Sequence, residues 1–347
     1  MEPLEAVIII PAYKPENKLI QLTQALREIG FGRIVVADDG SGAEYAGIFH
    51  QAEKLGCLVK RYETNQGKGM AIKTALEAAV QQWGEAGGFV TADADGQHLP
   101  KDILAVARTL AQEPDSLILG VRDFHGADVP SRSRFGNRVT SVFFRLISGV
   151  TCPDTQTGLR GIPATLLDLA LSEEGERYEY EMNFLMDAAR KVPMRMVPIE
   201  TVYEEKNRTS HFRPVADSLR VYGRFVRFAA ASLTGAAVDC LLFYLVALFL
   251  VLAQTEKIFL ATAIARVGSG MVNFWMNRHF SFRSQMPAGR EILRYIILFF
   301  GQMCASAVLV SLVSNILPVI AAKILVDTIL FFLSFRIQKN WVFAGEK

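Results

Sequence analysis

The sequence is poor in cysteine and histidine, with four and five among its 347 residues. Cys57, Cys152, Cys240 and Cys304 are scattered and form no C-x-x-C pair. That argues against a disulfide framework or a thiolate zinc site and suits a reducing compartment. His98 and His125 have no second histidine at ligand spacing, so both read as polar loop residues rather than metal ligands. The G-x-x-x-x-G-K-[ST] spacing is missing too, and Gly67-Lys68-Gly69 is therefore not a P-loop. The first apolar run is only a few residues long and ends at Pro11, so no signal peptide is expected. No nucleic-acid partner is expected.

What is present is a chain of two textures. Hydrophobic residues make up 51% and the mean hydropathy is +0.23. From Arg220 onward there are 13 Lys+Arg against 5 Asp+Glu, a net of +8. Of the totals of 37 and 35, this leaves 24 against 30 for the residues before it, a net of −6. The first part reads as an acidic soluble domain (1–225) and the second as a basic-flanked membrane domain (226–347).

In the first part, short apolar runs alternate with helical periodicity. Val7–Ile10, Arg33–Ala37, Cys57–Val59, Gly88–Thr91 and Leu117–Gly120 read as strands. Glu16–Ile29, Ala43–Leu55, Met70–Trp83 and Lys101–Ala111 read as the helices between them, and Tyr178-Glu179-Tyr180-Glu181 starts a later one. Alternation of this kind predicts a mostly parallel sheet covered on both faces. Each polar cluster follows a strand, which places Tyr13, Asp39, Lys68 and Asp93/Asp95 along one sheet edge, where a nucleotide would lie. Asp38-Asp39-Gly40-Ser41 also reads as a simple turn, and Lys68 alone as a solvated helix-start lysine.

Asp93-Ala94-Asp95-Gly96-Gln97-His98 is the densest of these clusters. In an extended segment the two carboxylates point the same way. Their repulsion is relieved by a hard divalent cation, which typically takes one or two carboxylates plus phosphate oxygens. The other reading is an acidic turn capping the helix that starts near Pro100. Further on, Arg122, Arg132, Arg134 and Arg138 lead into the apolar segment 139–147. A basic start on an apolar helix suits a membrane surface with phosphate at its water side; an ordinary packed helix with solvated arginines is the alternative. Asp154–Arg160 reads as a polar loop able to reach back to the site.

The second part holds four apolar runs, at about 228–253, 258–276, 292–317 and 319–335, each near the ~20 residues a span needs. The links at Gln254–Lys257 and near Pro318 are short, giving two hairpins. Arg213 to Arg227 forms a basic amphipathic lead-in. Arg220, Arg224, Arg227, Arg278, Arg283, Arg290, Arg294, Arg336 and Lys339 flank one side, so both termini and the soluble domain are expected in the cytoplasm. Arg227-Phe228 is echoed by Arg294-Tyr295, and Asn277–Phe282 by Gln338–Phe343, the mark of a duplicated unit. Asp239, Arg266, Lys323 and Asp327 are costly inside a bilayer, and are either functional or paired between helices.

Pro11-Ala12-Tyr13, Asp38-Asp39-Gly40-Ser41, Asn65-x-Gly67-Lys68-Gly69, Asp93-x-Asp95-x-Gln97-His98, Gly120-x-Arg122 and Asp154-x-x-x-Gly158-x-Arg160 occur in this order. The set resembles family 2 inverting glycosyltransferases, in particular the dolichol- or polyprenyl-phosphate sugar synthases. The resemblance implies a GT-A fold, an α/β Rossmann-like domain binding a nucleotide sugar with Mg²⁺ or Mn²⁺. Carried over, Pro11, Tyr13, Asp39 and Lys68 hold the donor, Asp93, Asp95 and Gln97 the metal and diphosphate, and Arg122, Arg134 and Arg138 the acceptor phosphate. Asn207-Arg208-Thr209-Ser210-His211 approximates a late family motif that implies Arg208 as a diphosphate ligand. The second half, with Asn273-Phe274-x-x-Asn277-Arg278-x-Phe280-x-Phe282, is similar to GtrA-like membrane proteins and implies an all-α domain of four transmembrane helices.

The expected activity is that of a hexosyltransferase moving one sugar from UDP-glucose or GDP-mannose to polyprenyl phosphate at the cell (inner or plasma) membrane. Asp95, Arg122 and Arg134 carry the chemistry, and self-association through the membrane helices is allowed. A lipid-sugar translocase with a cargo-binding soluble domain and a processive polysaccharide synthase are the rivals. No tryptophan sits in the Gln-x-x-Arg-Trp motif of the latter.

Overall fold

The computed structural model describes residues 5–85, 87–123, 131–200, 223–249, 254–282 and 284–344. The chain divides into two compact units, Met1–Val221 and Tyr222–Lys347.

The first unit is an α/β domain around a seven-stranded sheet of order β3-β2-β1-β4-β6-β5-β7. Its strands are β1 (Val7–Ala12), β2 (Ile34–Asp38), β3 (Leu58–Arg61), β4 (Phe89–Thr91), β5 (Leu117–Arg122), β6 (Arg160–Ile162) and β7 (Met194–Ile199). The helices are α1 (Lys18–Ile29), α2 (Ala46–Lys54), α3 (Lys68–Trp83), α4 (Pro100–Gln112), α5 (Ser131–Ser148), α6 (Leu167–Ser172) and α7 (Tyr178–Ala188). Val7 to Ile10 are fully buried, as a central parallel strand covered on both faces must be. Ile8 and Ile10 join Leu19, Leu22 and Leu26 of α1 and Ile103 and Val106 of α4 in one core. On the other face α3 packs on β1 and β2. β1, β2, β3 and β4 run parallel, so their carboxyl ends lie along one edge.

Two strands lie outside the sequence reading. The segment read as a polar loop, Asp154–Arg160, ends in β6, which is antiparallel to both β4 and β5, with Arg160 opposite Thr91 and Leu119. β7 pairs in parallel with β5 at the sheet's edge.

The second unit is helical. Its helices are α8 (Gly223–Phe249), α9 (Gln254–Met276), α10 (Ala288–Val313) and α11 (Val319–Ile337), and α9 and α11 each run into a π-helical turn, Asn277–Ser281 and Gln338–Val342. Gln254–Lys257, read as a link, is the first turn of α9. Among the described residues three stretches are long and apolar enough to cross a membrane, Phe225–Phe249, Glu256–Ser281 and Ala288–Val313. The fourth helix, α11, is 19 residues and carries Lys323, Asp327 and Arg336, so it is not among them.

α8 packs on α9 and α10 on α11. A polar ladder runs between these helices. Asn273 donates to the Ala231 carbonyl (3.1 Å), and Asn277 donates to Asn273 (2.9 Å) and to Gln338 (3.0 Å). Gln338 donates to Ser334 (3.0 Å), and Ser334 to Gln302 (3.1 Å). The four charged residues are paired: Asp239 Oδ1 lies 3.7 Å from Arg266 Nε and accepts from Ser269. Lys323 lies 2.9 Å from Asp327 Oδ2, while Ser306 donates to Oδ1 of the same carboxylate.

Candidate active site

The site is built on the loops that follow β1, β2 and β4 and on the first turns of α3 and α7. β4 ends at Thr91, and Asp93 and Asp95 lie in the turn that follows rather than in an extended segment. Gly96, at φ +81°, lets that turn reverse toward α4. The turn is closed internally. Asp95 accepts the Gln97 N–H at 3.0 Å, and His98 Nδ1 accepts the Asp93 N–H at 3.0 Å. His98 is therefore not a loop side chain in solvent but buried, with Nδ1 unprotonated and Nε2 4.0 Å from Asp93 Oδ2. Burial pushes its pKa down, against the pull of Asp93.

Lys68, the first residue of α3, reaches across to this turn. Its Nζ lies 2.7 Å from Asp93 Oδ1 and 3.0 Å from Glu181 Oε2, at the start of α7. Burial alone would pull the ammonium down, but the two carboxylates outweigh it and hold it above the ordinary lysine value. Burial would likewise lift Asp93, yet Lys68, His98 and, more weakly, Arg122 hold it at about 2. Burial and the neighbouring Asp93 charge push Asp95 up. Two adjacent carboxylates are thus driven apart, Asp93 below the ordinary carboxylate value and Asp95 above it.

On the other side of Asp93 stands the backbone of Gly158. A Cβ there would lie 2.5 Å from Asp93 Oδ2 and 3.0 Å from its Cγ. Gly158 is held in place by Thr91, whose hydroxyl donates to its carbonyl at 2.7 Å. The same loop fixes Arg122. Asp154 is fully buried and takes Arg122 Nε at 2.7 Å and Nη2 at 3.0 Å, a bidentate fork. Arg160, on β6, donates to the Thr157 carbonyl at 2.9 Å and to the Glu181 carbonyl at 2.6 Å, tying α7 to the sheet.

Asp39 is occupied by the chain itself. It accepts Gln66 N–H at 2.7 Å, Gly67 N–H at 2.9 Å and Asn65 Nδ2 at 2.8 Å, so it shapes the loop that delivers Lys68. Burial pushes its pKa up against these donors. Gly67 has φ +113° and its missing Cβ would lie 2.6 Å from the Glu176 carbonyl, so both conformation and space require glycine there. Arg177 continues the chain of contacts by donating to Asn65 Oδ1 at 3.0 Å.

Of the residues expected at the site, the structure brings Lys68, Asp93, Asp95 and Arg122 into one electrostatic cluster, with Gln97 beside Asp95. Pro11 and Tyr13 lie at the end of β1, next to β2 and Asp39. Arg134 and Arg138 stand one turn apart on the exposed face of α5, whose buried side is pinned by Asn137 donating to the Pro153 carbonyl at 2.6 Å. Arg208 and His125 lie outside the described residues. Glu181 escaped the sequence reading, since nothing in Tyr178-Glu179-Tyr180-Glu181 marks which glutamate turns inward. Asp154 and Gly158 were visible only as motif members, without a role.

Among the described residues no group of three His, Cys, Asp or Glu is arranged to hold a metal ion. A hard cation does not need such a cage, because Mg²⁺ is usually bound by one or two carboxylates with substrate phosphates and water. The oxygen donors of Asp93, Asp95 and Gln97 fit that chemistry, and Asp93 Oδ1 already has a positive charge at 2.7 Å.

Comparison with known proteins gives the family of each part of the chain. Residues 7–163 match glycosyl transferase family 2, and residues 227–343 match the GtrA/DPMS transmembrane domain. An uncharacterised protein of Methanocaldococcus jannaschii is 30% identical over 206 residues, 58% of this chain and 83% of the relative. A UDP-N-acetylglucosamine–dolichyl-phosphate N-acetylglucosaminyltransferase of Methanococcus voltae is 29% identical over 218 residues, 57% and 86% of the two chains. Glycosyltransferase AglJ of Haloferax volcanii is 26% identical over 218 residues, 62% and 69%.

Proposed function

Because the chain belongs to glycosyl transferase family 2 and carries a GtrA/DPMS transmembrane domain, we propose that it transfers a single sugar from a nucleotide sugar to a polyprenyl or dolichyl phosphate at a membrane. The observation that carries this reading is the Asp93 carboxylate. It is held ionised at the mouth of β4, with Lys68 on one oxygen and the field of Arg122 reaching it from the end of β5. A donor diphosphate and an acceptor phosphate both require positive charge, and the cluster offers it from two directions.

Asp93, Asp95 and Gln97 would hold Mg²⁺ or Mn²⁺, which neutralises charge on the leaving diphosphate. Lys68 supplies a further positive charge for the same diphosphate. Arg122, kept in plane by Asp154, brings its guanidinium charge to the acceptor phosphate, and Arg134 and Arg138 add charge on α5. That phosphate is already an anion at neutral pH, so attack on the anomeric carbon needs no strong general base. One in-line displacement inverts the configuration. UDP-glucose, GDP-mannose and UDP-N-acetylglucosamine are the donors to test, the last because a relative's name carries it. The lysines and arginines flanking the helices support a membrane domain of four spans, α11 included, with both termini in the cytoplasm.

The test is turnover by the full chain in detergent, with a panel of UDP- and GDP-sugars, Mn²⁺ and a short polyprenyl phosphate. Nucleoside diphosphate release with one sugar per lipid is expected. No release with any donor would sink the reading, and a polymeric product would replace it with a processive synthase.

A further inference from the structure

The pairing of Lys68 with two acids has a consequence for how a cation reaches Asp93. Asp93 is pinned on three sides. Its N–H is held by His98, its Oδ2 side is covered by Gly158, and its Oδ1 is taken by Lys68. Glu181 is pinned as well, because Arg160 fixes its backbone carbonyl from β6. Of the three charged groups, only the lysine has a long, flexible stem. Glu181 has spare capacity: its Oε1 is buried and has no hydrogen-bond partner among the described residues. A divalent cation bonded to Asp93 Oδ1 would sit within a few ångströms of the ammonium, and like charges so close repel strongly in a half-buried site.

We propose that Lys68 is a resident counter-ion for the metal position. It bridges Asp93 and Glu181 while the position is free, and moves over to Glu181 when a divalent cation takes Asp93. Glu181 is then a positioning residue acting through Lys68, not a ligand. The inference rests on the reading of Asp93 as a metal-binding carboxylate, and deepens it. No covalent step is involved; one salt bridge is exchanged for another.

The experiment is Mn²⁺ binding to the full-length protein in detergent, with no nucleotide, read as free Mn²⁺ by electron paramagnetic resonance. Lys68→Met removes the competitor, a charge-assisted hydrogen bond, and should tighten Mn²⁺ binding about tenfold. Lys68→Gln serves if the methionine variant does not fold. Glu181→Gln removes the parking place and should weaken binding about fivefold in the wild-type background. In the Lys68→Met background the same change should matter by less than about twofold, because Glu181 then has nothing to hold. Additive effects of the two substitutions would mean that each acts only through the general field, and would overturn the proposal. So would unchanged or weaker binding in Lys68→Met, and if Asp93→Asn still abolishes binding there, the metal site itself stands. Binding that survives Asp93→Asn in the Lys68→Met background removes both the proposal and the metal reading of Asp93.

Discussion

Gly158→Ala adds one methyl group against the Asp93 carboxylate. The new Cβ would lie 2.5 Å from Oδ2, 3.0 Å from Cγ and 3.0 Å from Oδ1, all inside van der Waals contact. The glycine cannot retreat easily, because its carbonyl takes the Thr91 hydroxyl at 2.7 Å and Arg160, two residues on, is paired into the sheet on both sides. The carboxylate must therefore rotate, which breaks the 2.7 Å contact to Lys68. Overpacking of this kind costs about 1–3 kcal/mol. For a unit of this size about 2 kcal/mol corresponds to a fall of about 4–8 °C in melting temperature. Turnover should fall further than stability. A displacement of about 1 Å in a positioning group costs on the order of 100-fold in rate. The assay pairs nucleoside diphosphate release with thermal unfolding in detergent. It includes Asp93→Ala and the double variant. Without the carboxylate the three atoms nearest the new methyl are gone, so Gly158→Ala should cost much less in that background. Equal destabilisation in both backgrounds, or a Gly158→Ala enzyme as active as wild type, would refute the claim that this glycine exists to admit Asp93.

The other predictions concern separate parts of the molecule. Asp154→Asn weakens the fork on Arg122 and should raise KM for polyprenyl phosphate on the order of tenfold while moving that for the donor little; an unchanged acceptor KM would dissociate Arg122 from the acceptor. Asp95→Ala should lower turnover on the order of 100-fold or more while membrane flotation stays intact, and normal turnover in that variant would end its metal role. Chelation with EDTA should stop release, and added Mn²⁺ or Mg²⁺ should restore it; turnover in excess chelator would remove the cation from the reaction. Asn277→Leu cuts the ladder between the two π-helical turns that follow α9 and α11 and should cost about 0.6–2 kcal/mol in detergent unfolding, with Mn²⁺ binding by the first unit unchanged.

The strands that could be read from the sequence are those whose burial leaves a continuous apolar run, such as Val7–Ile10 and Ile34–Ala37, all fully buried. β6 could not be read because it is three residues long and opens with an arginine. Arg160 is 3% exposed, and its charge is tolerable inside the sheet because two carbonyls accept from it, Thr157 in its own loop and Glu181 from α7. β7 was hidden for the opposite reason: as an edge strand it exposes Arg195 and Met196 and includes Pro198. The candidate site divides in the same way. Asp93, Asp95 and Lys68 were legible by residue type and by their place after strands or at a helix start. Their contact was not, nor was the part played by Glu181, because a salt bridge between segments remote in the chain leaves no periodic signal. Asp39 was legible as a post-strand acid, whereas its partners are loop N–H groups that no side-chain pattern records.

The membrane half turns a sequence echo into contact geometry. If the two hairpins are related by a two-fold axis, residues that echo one another near that axis must meet, as in an isologous dimer. Asn277 donates to its counterpart Gln338 at 3.0 Å, and Phe282 stacks on its counterpart Phe343 at 5.1 Å. Farther from the axis the contacts should occur in equivalent pairs. Phe228 meets Phe335 at 5.1 Å and Tyr295 meets Phe274 at 5.2 Å, while Phe282–Phe335 and Phe343–Phe274 are both 5.7 Å. Side-chain size is exchanged at one equivalent position. Asn273 fills the space over Gly235, and on the other side small Ser334 meets large Gln302. The charges do not obey the symmetry. Asp239 and Arg266 pair across two helices, whereas Lys323 and Asp327 pair along one. Each charge would cost ~2.5–3.5 kcal/mol alone near the bilayer centre. Each hairpin has therefore solved its own neutralisation separately.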